Sequence, residues 1–155
     1  MAKLPETVAA FLQGRRFAVA GVSRDGNLPS NHILRKLRAC GYDAVPVNPN
    51  TDDLAGERCY RDLASIPGTI DGLVIAAPPA VAADLVRQAA ARNVRQIWFH
   101  RSFGDGSVSP EAVAECARLG IEPVVGGCPM MFCQPVDLAH RCMRWWLALS
   151  HRVPT

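Results

Sequence analysis

No stretch of this 155-residue chain is apolar for long enough to cross a bilayer. The longest nearly apolar run, residues 73–83, holds two prolines and falls well short of the ~20 residues a spanning helix needs. The opening Met1-Ala2-Lys3-Leu4-Pro5-Glu6 has no apolar core of the kind that marks a secretory signal, so the expected location is the cytoplasm. Metal-ligand spacing is also missing. Cys128 and Cys133 are too far apart for a Cys-x-x-Cys pair, and the six cysteines form no zinc pattern with His32, His100, His140 or His151, so no metal is expected. Reduced thiols are the default for all six in that compartment. Aromatics are few, at 6%, and the net charge is only +3, so neither a nucleic-acid surface nor a membrane surface is expected. Repeats, linkers and low-complexity tracts are absent as well. The length predicts one domain, large enough to bury a core without disulfides.

What is present is alternation. Apolar runs of strand length at residues 17–22, 42–47, 72–76, 96–100 and 121–125 are separated by stretches with helical periodicity. A first helix with Pro5 in its first turn buries Val8, Phe11 and Leu12 and ends before Gly14. Ser30 is the expected cap of a second helix that buries Ile33, Leu34 and Leu37. One helical turn is expected near residues 60–64. A third helix carries Val81, Leu85, Val86, Ala89 and Ala90. Ser109-Pro110-Glu111 starts a fourth, combining a cap, a first-turn proline and an early acid. The last helix places Val136, Ala139, Cys142, Met143, Trp146 and Leu147 on one face; with Trp146 inward, Trp145 is left to mark a dimer contact. Pro46 warns of imperfect pairing in the second strand. The pattern predicts an α/β fold: a single Rossmann-type domain, a five-stranded parallel sheet with helices on both faces. Residues 1–14 form a helix packed on the domain, 15–150 the domain itself, and 151–155 a tail.

Ligands of such sheets bind beyond the carboxyl ends of the strands, where strand order reverses. Five loops therefore hold the candidate site. The first, Gly21-Val22-Ser23-Arg24-Asp25-Gly26, matches a dinucleotide fingerprint at two glycines but has Ser23 at the middle one. It reads either as a tight turn or as a phosphate cradle built from backbone N–H groups, the Ser23 hydroxyl and Arg24. Six basic residues against one acid lie between Arg15 and Gly41, which suits a small anionic ligand or a solvated helix face. At the second strand end, Val47-Asn48-Pro49-Asn50 lacks the carboxylate that grips the ribose of NAD. A neutral Asn48 suits a nucleotide phosphorylated on its ribose, NADP or coenzyme A, and Asn48-Pro49 equally starts a turn. The third loop, Ala76-Ala77-Pro78-Pro79, lines a groove or leads into the next helix. In the fourth, residues 100–107, His100 is either an acid–base group or a hydrogen-bonded structural residue. In the fifth, Gly126-Gly127-Cys128-Pro129, the glycines admit close backbone approach, and Cys128 sits near a helix start that can lower a thiol's pKa or packs as a small hydrophobe.

Taken in order, these pieces resemble the small single-domain CoA-binding proteins, whose fold is shared with the N-terminal domain of the succinyl-CoA ligase alpha subunit. The resemblance covers residues 15–135. It rests on Ala20-Gly21-Val22-Ser23-Arg24, Pro46-Val47-Asn48-Pro49-Asn50, Gly56-Glu57-Arg58-Cys59-Tyr60, Ala77-Pro78-Pro79, Ile97-Trp98-Phe99 and Gly127-Cys128-Pro129. It implies that Gly21, Val22, Ser23 and Arg24 face the pyrophosphate and adenosine, and that Asn48, Pro49 and Asn50 lie by the adenine and phosphorylated ribose. Pro78, Ser30 and His100 border the groove, with Gly127 and Cys128 near the pantetheine end. Two positions depart from the family. Leu28-Pro29-Ser30 stands where relatives often carry a lysine, and His100-Arg101 where many have a glutamine. The implied function is binding of CoA or an acyl-CoA, as a monomer or homodimer, without catalysis of its own. The rivals are an acyl- or thiol-transfer enzyme using Cys128 and His100, and an NADP-type redox or sensor domain.

Overall fold

The computed structural model describes residues 4–102 and 104–154. Met1, Ala2, Lys3, Thr155 and the Phe103 of the fourth loop lie outside the described residues. In chain order the elements are α1 (Glu6–Leu12), β1 (Arg16–Ala20), α2 (Pro29–Ala39), β2 (Asp43–Val47), β3 (Asp53–Leu54), β4 (Glu57–Arg58) and β5 (Gly72–Ile75). They continue with α3 (Pro79–Ala91), β6 (Gln96–Phe99), α4 (Pro110–Arg118), β7 (Val124–Val125), a 3-10 turn (Pro129–Met131) and α5 (Leu138–Leu149). Five strands pair in parallel in the order β2-β1-β5-β6-β7, as the alternation predicts. From β1 the chain moves outward to β2, then returns to the other flank of β1 with β5. The order therefore reverses between β1 and β5, and the loops after these two strands diverge there.

The two-residue period of the strands sorts the core into two layers. Leu73, Ile75, Ile97 and Phe99 face α3 and α4, meeting Leu85, Val86, Ala89, Ala112 and Cys116. Phe17, Val19, Val74 and Trp98 face the other side, against Val8 and Phe11 of α1, Ile33 and Leu37 of α2, and Leu147 of α5. Phe11 stacks on Phe17 at 4.7 Å and meets Trp98 edge-on at 5.3 Å. Each such side chain, fully buried, contributes about 1.5–3 kcal/mol. The Trp98 Nε1–H donates to the Gly126 carbonyl at 3.1 Å, which ties the sheet centre to the fifth loop. Among the described residues no helix is long and apolar enough to cross a membrane.

Several expectations are corrected. Ser30 does not cap α2: Leu28 takes that position with extended backbone and Pro29 opens the helix, as expected of a residue before proline and of proline itself. Ser109 does cap α4, its side chain accepting from the Ala112 N–H. No helical turn forms over residues 60–64. Carbonyls of Leu63, Ile66 and Gly68 are instead taken by the Arg92 guanidinium, the Ile66 contact at 2.6 Å. Pro46 pairs in register with Val19, because β2 is an edge strand and its outward carbonyl receives the Tyr60 N–H at 3.0 Å. The fifth strand is only two residues long, since Ile121 closes the end of α4 through Cys116 O and Pro123 has no N–H to give. The β3–β4 hairpin is an addition the periodicity did not show. On α5, Met143 and Leu147 pack inward as expected, but Cys142 and Trp146 are exposed, so the expected inward face is right only in part. The segment set aside as a tail packs inward at Val153, which is 6% exposed.

Candidate functional site

The loop after β1 is shaped by a close approach. Gly21 has φ +100°, and a Cβ on it would stand 2.2 Å from the Ala76 carbonyl oxygen at the end of β5. Only glycine lets the two diverging loops start this close together. The Gly21 N–H donates to Val47 O at 3.2 Å and its carbonyl accepts from the Ser30 hydroxyl at 2.8 Å. Ser30 thus holds the loop onto the first turn of α2. Next to it, Asn31 grips Ser23 at both ends: its Oδ1 accepts from the Ser23 N–H at 3.1 Å and its Nδ2 donates to the Ser23 carbonyl at 2.8 Å. Asn31 is 4% exposed and is the loop-bracing residue of this candidate site that sequence reasoning missed. Its signal was a side chain with both a donor and an acceptor, one turn into a helix behind a glycine loop.

Asn48 directly follows β2, and both its side-chain ends are engaged. Its Nδ2 donates to the Val22 carbonyl at 2.6 Å and its Oδ1 accepts from the Asn50 N–H at 2.8 Å. It braces the first loop from the second. Val22 has a fully buried side chain, so only its backbone faces the loop region. The Ser23 hydroxyl accepts from Asp25 N–H at 3.2 Å. Arg24, Pro49 and Asn50 are exposed, as is Pro78, which precedes α3 across the switch point.

The other half of the strand-end edge lies over β6 and β7. His100 hydrogen-bonds Ser102 Oγ through Nε2 at 3.3 Å, and burial holds its pKa below the ordinary histidine value. Arg101 bridges to Gly127, its N–H donating to the Gly127 carbonyl at 3.0 Å, so loops four and five are joined. Cys128 is 4% exposed, and burial pushes its thiol up to about 12. Of the two readings open for Cys128, the packed small hydrophobe is the one its burial supports; Pro129–Met131 form only one short 3-10 turn, too little to offset desolvation. Two half-open depressions, of 440 and 550 Å³, lie away from all of these loops, against Glu6 and Arg95 and against Asp62 and Arg92. Neither collects groups of complementary chemistry.

The strand-end edge does collect them. Backbone N–H groups of Val22, Arg24, Gly26 and Ser30 have no acceptor among the described residues. The Arg24 side chain forms no ion pair there. The Arg101 Nε–H is buried with no partner among them, a donor awaiting an acceptor. Together with the Gly21 cradle, these donors fit a phosphorylated ligand.

Comparison with known proteins agrees with that chemistry. Residues 15–134 match the model of the CoA binding domain. The chain is 30% identical over 110 residues to the ADP-forming acetate–CoA ligase II of Archaeoglobus fulgidus, covering 70% of this chain and 12% of the ligase. It is 44% identical over 91 residues to the trans-feruloyl-CoA synthase FCS1 of an unknown prokaryotic organism, covering 57% of this chain and 13% of that one. The chain thus spans about an eighth of the length of these relatives. Among solved structures, a conserved hypothetical protein from Pyrococcus furiosus superposes with a TM-score of 0.65 at 30% identity, over 74% of this chain and 95% of its own. With the family segment running from the start of the sheet through the fifth loop, the chain belongs to the CoA-binding domain family.

Proposed function

We propose that this protein binds coenzyme A or an acyl-CoA across the carboxyl ends of β1, β2 and β5, and that it acts as a binding module with no chemistry of its own. The observation that carries this is the first loop, where beside a glycine-enforced close approach the N–H groups of Val22, Arg24 and Gly26, with that of Ser30 in the first turn of α2, have no acceptor among the described residues. In this reading those donors and Arg24 take the phosphates. Pro49, Asn50 and Pro78 border the nucleotide, while His100, Arg101 and Gly127 lie toward the thiol end. The acyl-transfer alternative loses its nucleophile: Cys128 is 4% exposed, and burial holds its thiol above the ordinary cysteine value, which keeps it protonated at neutral pH. In the neighbouring loop burial holds the His100 pKa below its ordinary value, and its ring is bonded to Ser102 Oγ and to no carboxylate among the described residues.

Thermal unfolding with CoA, acetyl-CoA, NAD and NADP tests the proposal. A ligand at a hundred times its Kd adds about 2.7 kcal/mol, which for a domain of this size raises Tm by roughly 5–10 °C. CoA or acetyl-CoA is expected to give that shift and NAD none. Arg24→Ala is expected to weaken CoA by roughly 1.5–3 kcal/mol. Stabilisation by NADP with none by CoA would overturn the assignment.

A further inference from the structure

Helix α5 lies beyond the segment that matches the family, and its two sides differ in what covers them. Inward, Leu147 is fully buried and the Arg144 guanidinium lies 4.5 Å from the centre of the Phe132 ring. At about 100° per residue, Leu138, Cys142, Trp145 and Leu149 fall within an arc of about 60° on the opposite side, with Trp146 beside them. Leu138, Trp145, Trp146 and Leu149 are 74, 69, 58 and 66% exposed. A helix apolar on both sides is one that should be covered on both. With aromatic side chains offering about 150–250 Å² each, these four present an apolar patch on the order of 500 Å², at the upper end of what a monomer shows.

We propose that this face is covered by α5 of a second copy, packed antiparallel across a twofold axis. A closed twofold contact requires a surface complementary to itself, in which residue i meets j and j meets i. The stripe has that property. An axis level with the midpoint between residues 143 and 144 sets Leu138 against Leu149 and Cys142 against Trp145, each pair occurring twice. Arg141 borders the stripe on the Trp145 side and forms no ion pair among the described residues. The same axis brings it beside Trp145 of the second copy, where a guanidinium–indole contact forms. Antiparallel packing also sets opposite helix dipoles side by side. Two copies of the patch remove on the order of 1,000 Å² from water through four side chains apiece, which meets the area a specific interface needs before its polar rim is added.

Sedimentation velocity on the full chain without ligand reads this directly. The wild type is expected to sediment as a dimer, Trp145→Glu and Leu149→Glu as monomers with association weakened at least tenfold, and Trp145→Phe as a dimer. Circular dichroism and the urea midpoint of each variant confirm that the monomers are folded. A short bismaleimide is expected to join two wild-type copies, and Cys142→Ser to abolish the product. A wild type that stays monomeric at every concentration, or a dimer that survives both glutamates, overturns the proposal. So does a monomer that sediments with vesicles of anionic lipid, which would assign the face to a membrane surface instead.

Discussion

Alanine at Gly21 must satisfy two demands at once. The residue holds φ at +100°, where an L side chain costs about 1–2 kcal/mol. Its Cβ would also lie 2.2 Å from Ala76 O, 2.6 Å from Ala76 C and 2.9 Å from Ala77 N. All three are backbone atoms at a strand end, so no flexible side chain can swing aside. The β1 and β5 loops must separate, and comparable overpacking costs about 1–3 kcal/mol. Gly41 isolates the conformational cost: its φ is +91°, and nothing lies within 4 Å of the position a Cβ would take. Urea unfolding of both variants against wild type measures the difference, provided the m-value is unchanged. Gly41→Ala is expected to lose about 1–2 kcal/mol and Gly21→Ala about 2–5 kcal/mol. Titration of CoA by calorimetry should then show Gly41→Ala binding as wild type and Gly21→Ala weakened, because only the latter moves the loop after β1. Equal stability losses would refute the claim that close approach, rather than backbone conformation alone, requires glycine at position 21.

The same geometry sets three further outcomes. Asn48→Asp removes the donor that holds the Val22 carbonyl and should cost about 1–3 kcal/mol of stability with no ligand present; an unchanged urea midpoint would show that the brace is dispensable. At neutral pH Ellman's reagent is expected to label Cys142 quickly once Leu149→Glu has freed the α5 face, and Cys128 only after unfolding, and peptide mass mapping distinguishes the two. Burial raises Cys116 to about 11 and Cys128 and Cys133 to about 12 from an ordinary 9.0, so above that ordinary value the unfolded chain holds fewer protons than the folded one. Stability is therefore full below about pH 9 and falls as pH rises toward the folded values, by about 1.4 kcal/mol per pH unit for each thiol; a urea midpoint that stays flat into this alkaline range would contradict the burial of these thiols.

The layering was legible because it depends on local periodicity. Strands buried on both sides read as continuous apolar runs, and helices such as α3 and α4 show a single apolar face with proline at the start. Elements fixed by distant partners were not legible. The segment at residues 61–68 is held by Arg92, some 25 residues away in sequence, so no local pattern announces it. The α5 error has a different source. That helix carries apolar residues over more than half its circumference, with His140, Arg141 and Arg144 grouped on the remainder, and periodicity cannot choose an inward side within so broad an arc.

The candidate site was legible to the level of its loops and no further. Alternation of strand and helix delivers every strand end to one edge of the sheet, so naming the loops required only counting elements. Which atoms of those loops remain available to a ligand depends on what they do to one another. Asn48 shows the difference. Its neutrality was read as tolerance of a phosphate on the ribose, yet its amide is committed to Val22 O and the Asn50 N–H. An aspartate there has no proton for the Val22 carbonyl at neutral pH, so the fold itself demands a neutral donor at the end of β2. The same neutrality then removes the carboxylate that would repel a phosphorylated ribose. Loop bracing and the proposed ligand preference thus converge on one side chain: the asparagine that holds the loop after β1 in place is also the one that leaves the end of β2 without a carboxylate.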